Sequence, residues 1–167
     1  MTSAFNFGKY SEEPVSQFIL APAETFILTL DDWGDPVDSK YVHGDEVQKR
    51  VNLRFKVDSD PKGGDPVDDD DRSVKGAEAA MWVNLNLNPN DKQSIWHVLV
   101  ALDPDTEPKP GGSIEPYRGK KMKGTIVHSK GKKDPTKTFA DVINPKAVPA
   151  RLRQKAVNPL VDEDSDE

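Results

Sequence analysis

The chain has 167 residues, enough for one domain with a core plus tails. It has no Cys, which excludes disulfides and thiolate metal sites. With 35% hydrophobic and 31% charged residues, much of its length must be loop, tail or exposed face. The net charge of −6 hides a segregation. Residues 1–116 hold 11 Lys/Arg against 22 Asp/Glu, residues 117–155 hold 12 against 2, and residues 156–167 hold five acids and no base.

In chain order, residues 1–17 are polar with scattered aromatics and read as an N-terminal arm. "ETFILTLD" predicts a strand over 24–31, since Phe26, Leu28 and Leu30 alternate with Thr25, Ile27 and Thr29. Residues 32–46, dense in Gly, Pro and Asp, read as a long loop. A second strand is expected over 47–58, with Val51, Leu53, Phe55 and Val57 on one face and Arg50, Asn52, Arg54 and Lys56 on the other. Residues 59–76 hold two Pro, three Gly and an Asp run, and exclude a regular element. A third strand is expected over 77–88, with Met81, Val83, Leu85 and Leu87 opposite Trp82, Asn84 and Asn86.

The period then changes. Apolar residues at 95, 98, 99 and 102 follow the start signals Pro89 and Asn90, which predicts a helix over 90–102. A Pro/Gly-rich loop separates it from strands expected over 120–128 and 136–144. Residues 149–167 read as a flexible tail, basic and then acidic. The order β-β-β-α-β-β is that of a mainly β, five-stranded OB-like Greek-key barrel with one helix between strands three and four, spanning residues 18–148. Such barrels bind oligonucleotides on the face of strands two and three and with the loops joining strands one–two and four–five.

The residues at those positions suit a nucleic-acid strand. Arg50, Arg54 and Lys56 supply cations, Asn52 and Asn84 supply amides, and Trp82 supplies a flat ring on which a base stacks. A bare exposed strand face, with Trp82 covered by the arm or a partner chain, is the plain alternative. Trp33, Tyr41 and His43 lie in the first loop. Trp33 and Tyr41 are stacking candidates, and Trp33 also suits a plug for the end of the barrel. The last hairpin, "MKGTIVHSKGKKDPTKTF", carries Lys123, Lys130, Lys132 and Lys133, with Arg118, Lys120 and Lys121 just before it. Seven cations in sixteen residues exceed what protecting a sheet edge requires and suit a phosphate track. The acidic 58–71 loop would repel that track. It reads as solvated loop, with a Ca²⁺ site as the sharper alternative, although it lacks an ordered twelve-residue ligand pattern.

"LAPAETFILTL", "RVNLRFKV", "MWVNLNLNPN", the hairpin "YRGKKMKGTIVHSKGKKDPTKTFADVINP" and the acidic end together resemble phage-encoded OB-fold single-stranded-DNA-binding proteins over residues 18–145. The resemblance implies non-specific single-strand binding in phage DNA replication or recombination, in the cytoplasm of an infected bacterial cell. It also implies an acidic tail that meets replication or recombination proteins. Here the apolar pair Leu160 and Val161 precedes the acids, which departs from the usual tip and favours electrostatic competition with DNA.

His43, His97 and His128 fall in separate elements, and no phosphate loop or activated nucleophile is present, so no enzyme, metal or cofactor is expected. No apolar run approaches a membrane span, and the expectation is a soluble intracellular protein. RNA would be served by the same contacts as DNA, and a homo-oligomer is a further candidate assembly. The rival reading is a phage structural or host-factor-binding β-barrel without nucleic acid.

Overall fold

The computed structural model describes residues 19–43, 46–131, 133–150 and 152, with backbone alone at 40–43, 46 and 47. The expected N-terminal arm and nearly all of the C-terminal tail, its acidic end included, lie outside the described residues.

Strand alternation builds a closed barrel. β1 (Thr25–Trp33), β3 (Glu46–Ser59), β4 (Glu78–Asn84), β5 (Lys121–Lys130) and β6 (Thr138–Lys146) form it. β1 pairs antiparallel with both β3 and β5, which closes the ring β1-β3-β4-β6-β5. The β4–β6 pair is parallel, at Ala80 and Asp141, and the remaining pairs are antiparallel. This closed five-stranded arrangement is compatible with an OB-like barrel.

The interior is set by the residues that alternation places inward. Val51, Leu53, Phe55 and Val57 of β3 are all buried, with Leu28 and Leu30 of β1, Val83 of β4, Met122 and Ile126 of β5 and Val142 of β6. Ile27 is buried as well, against the expectation that it would share the outer face with Thr25 and Thr29. Gly124 sits where β5 crosses this core. A Cβ there would lie 2.9 Å from both Leu28 Cδ1 and Val142 Cγ1, so only Gly fits without displacing its neighbours.

The 32–46 loop expectation is corrected. β1 runs on to Trp33, and a sixth strand, β2 (Val37–His43), forms a hairpin with β3. β2 pairs only with β3 and stands outside the ring. "VDSKYVH" mixes polar and apolar residues without a clean period-2 pattern, and its described side chains Val37, Asp38 and Ser39 are exposed or half-buried, so it carries little strand signal.

The helix is shorter than its pattern suggests. α1 spans Ile95–Leu102 and buries Ile95, Val98, Leu99, Ala101 and Leu102. Residues 84–93 are instead drawn into side-chain-to-backbone turns. Asn86 Oδ1 accepts from Asn88 N, Asn88 Oδ1 from Asn90 N, and Asp91 Oδ1 from Gln93 N, each at 3.0 Å. Asn and Asp offer the backbone such alternatives to both strand and helix. The same turns end β4 at Asn84, four residues before its expected end. Ser94 Oγ then caps α1 by accepting from Trp96 N at 3.0 Å.

Candidate nucleic-acid interface

The pleat that sends Val51, Leu53 and Phe55 inward sends Arg50, Asn52, Arg54 and Lys56 outward. β4 answers in register: Arg50 stands opposite Asn84, Asn52 opposite Trp82, Arg54 opposite Ala80 and Lys56 opposite Glu78. Trp82 is 46% exposed, and Arg50 Cζ lies 4.9 Å from its ring centroid. A guanidinium over an exposed indole contributes about 0.5–1 kcal/mol. It also holds a cation beside a stacking surface.

Two residues that sequence reasoning missed complete this face. Across the parallel pairing of Ala80 with Asp141, the pleat puts Ile143 beside Trp82 and Phe139 beside Glu78. Phe139 is 48% exposed and Ile143 40%, so three large apolar side chains lie open on the outside of β4 and β6. The sequence cue was Asp141, which shares the alternation of Phe139 and Ile143 and so marks their face as the outer one, opposite buried Ala140 and Val142.

Phe139 also ties the face to the basic hairpin. A Cβ on Gly131 would lie 3.1 Å from Phe139 Cε2, so the turn packs on the ring. Gly131 N donates to Lys137 O, and Lys137 N to Asp134 O, both at 3.0 Å. Thr136 donates through its N–H and its hydroxyl to Asp134 Oδ1. These bonds hold the Asp134 carboxyl below its ordinary pKa. The tip is therefore a formed turn, and it carries Lys130 and Lys133 at its exposed edge.

The other candidates are dispersed. Asn84 Nδ2 and Asn86 Nδ2 donate to Asp91 Oδ2 at 3.0 and 2.9 Å and serve the turn before α1. Hydrogen bonds from Asn86 and Asn84 depress the Asp91 pKa. Lys120 pairs with Asp103 at 3.5 Å and Lys121 with Asp58 at 3.1 Å. Lys123 lies on β5 between Ile27 of β1 and Lys146 of β6, on another flank of the barrel. Tyr41 falls on β2 with only its backbone described, and Lys132 lies outside the described residues.

Trp33 does not join Trp82. It stands opposite Leu53 and packs against the core at one end of the barrel, with Arg118 Cζ 4.2 Å from its ring centroid. It borders an apolar cavity of about 620 Å³ between the barrel end, α1 and the 108–114 loop, lined also by Leu85, Leu87, Ile114 and Tyr117. Burial raises the Tyr117 pKa.

Of the three cations on the outward face of β3, Arg50, Arg54 and Lys56, two meet carboxylates, and Lys49 on the same strand pairs with Asp38. Arg54 Nη1 is 3.9 Å from Asp32 and Lys56 Nζ 3.8 Å from Asp31. Arg50 has no ion pair with a described residue.

Two carboxylates of the acidic loop serve turns. Asp60 Oδ1 accepts from Lys62 N and Gly64 N at 2.8 Å, and Asp68 Oδ1 from Asp70 N and Arg72 N at 2.9 and 3.0 Å. The backbone bond from Arg72 leads in lowering the Asp68 pKa. Among the described residues no group of three or more acidic or His side chains gathers as a metal site. No described helix is long and apolar enough to cross a membrane.

No protein-family model matches the chain, and no curated protein matches it at a significant level.

Proposed function

We propose that the protein binds single-stranded nucleic acid, DNA foremost, across the outer face of β3, β4 and β6. One observation carries this reading: Trp82 lies open beside Ile143 with Arg50 over its ring, on the same face as Phe139 and the lysine-tipped hairpin. Bases stack on Trp82 and Phe139. Phosphates follow Arg50, Arg54 and Lys56 on one side and Lys130 and Lys133 on the other. Such contacts use the π-face and the charge that every nucleotide offers, so binding is largely independent of sequence. The role is that of a binding protein, not an enzyme. Its setting in phage replication or recombination, and partners met through the acidic tail, belong to the same proposal.

The test is anisotropy of labelled oligo-dT at graded salt. Saturable binding whose log–log salt slope is several times −0.7 supports the reading, at about −0.7 per neutralised phosphate. Absence of binding at low salt overturns it.

A second reading is favoured by Ile143, which offers no stacking plane, and by the carboxylates of Glu78 and Asp141 on the same face. A protein partner would cover this apolar patch. Its affinity would change little over the same salt range.

A further inference from the structure

The acids on β1 are placed in an unusual way. Leu30 pairs with Phe55 and Asp32 with Arg54, so β1 spends two steps where β3 spends one. Asp31 is the extra residue of this β-bulge. A bulge re-aims side chains, and here two successive carboxylates both reach the outside. Asp31 meets Lys56 at 3.8 Å. Asp32 meets Arg54 at 3.9 Å and Arg118 at 3.7 Å. Arg118 Nη1 also donates to the Asp31 carbonyl at 2.6 Å, which fixes the bulge from outside.

We propose that Asp31 and Asp32 are built-in competitors for phosphate: they hold Arg54 and Lys56 in the free protein and yield them to the phosphodiesters of a bound strand, while Arg118, held also by Glu115 at 3.4 Å, stays to brace the bulge. This deepens the proposed single-strand reading and rests on it. The geometry suits exchange. The Arg54–Asp32 and Lys56–Asp31 distances exceed hydrogen-bond length, and each of the four side chains is about half exposed. Pairs of this kind are worth little, so an incoming phosphate displaces them readily.

The consequence is selectivity. With Arg54 and Lys56 paired to Asp32 and Asp31, phosphates alone gain less from these two cations, because each contact must displace a carboxylate. A duplex offers only phosphates to this face, because its bases are stacked on one another. A single strand adds stacking on Trp82 and Phe139, which offsets the displacement of the carboxylates. The acid pair thus sets the preference for unpaired strands.

The experiment compares wild type with the Asp31→Asn/Asp32→Asn variant on labelled oligo-dT and on a duplex of equal length, at graded salt. Asn keeps the size and the backbone of the bulge, and thermal melting checks the fold. An Asp65→Asn/Asp69→Asn variant makes the same change in net charge in the acidic loop, away from these cations. The Asp31/Asp32 variant is expected to bind duplex about tenfold more tightly. Its gain on oligo-dT should be smaller. Its oligo-dT salt slope should steepen by up to about 1.4, or about 0.7 for each of two phosphates. Equal affinities and slopes, a weaker variant, or the same gain from the Asp65/Asp69 control overturn the inference while wild-type oligo-dT binding upholds the function. Wild type that fails to bind oligo-dT overturns both.

Discussion

Replacing Trp82 by Ala removes the ring on which the proposed interface centres. Trp82 is 46% exposed and stacks under Arg50, and the barrel interior behind it stays filled by Val83, Leu53 and Phe55. Stability should fall only by the cation–π contact and part of one aromatic contact area, about 1 kcal/mol. Binding should fall by much more. One stacked base is worth about 1–3 kcal/mol, which is a loss of about 5- to 140-fold in affinity for oligo-dT. Arg50 keeps its charge, so the salt slope should stay the same while the whole line shifts. Trp82→Phe should recover most of the loss, because a flat ring is restored. The assay is anisotropy with oligo-dT over a salt series, beside a melting curve for each variant. Unchanged affinity in a folded Trp82→Ala protein would refute the stacking argument. A changed slope would show that Trp82 acts through the cations instead.

Lys130→Gln with Lys133→Gln should flatten the oligo-dT salt slope by up to about 1.4 and leave the melting temperature in place, since both lysines stand exposed at the hairpin tip. Gly124→Ala should destabilise by about 1–3 kcal/mol through overpacking against Leu28 and Val142, read as a lower urea midpoint with unchanged m-value. Asp91 has a folded pKa below its ordinary value, with the Asn86 hydrogen bond as the leading cause. Its contribution is therefore complete above about pH 4 and is lost as the pH falls through the lowered folded value. Asp91→Asn should lose less stability than wild type between pH 6 and pH 3 in urea titrations, and parallel losses would contradict this.

The barrel strands were readable because each has one buried face. β3 states it most plainly, with Val51, Leu53, Phe55 and Val57 inside and cations outside. α1 was readable from Ile95, Val98, Leu99 and Leu102, yet its start was not, because Asn86, Asn88 and Asp91 turn the backbone before the helix begins. β2 was invisible because "VDSKYVH" shows no alternation and Val37 and Asp38 stay exposed. At the candidate site, alternation placed Trp82 and Arg50 on one face correctly. It could not show which cations carry carboxylates. Asp31 and Asp32 lie more than twenty residues before Arg54 and Lys56, and only the barrel's β1–β3 pairing and its bulge bring them together. Phe139 and Ile143 were legible in principle, but their proximity to Trp82 depends on the parallel β4–β6 contact, which no local pattern reveals.

The most direct measurement is a map of amide chemical-shift changes in the isotope-labelled protein as unlabelled oligo-dT is added. The account predicts shifts concentrated at residues 50–56, 80–84, 139–143 and the 130–137 turn, with the indole N–H of Trp82 moving more than that of Trp33 or Trp96. Shifts centred instead on the cavity beside Trp33, or spread evenly over the surface, would contradict it.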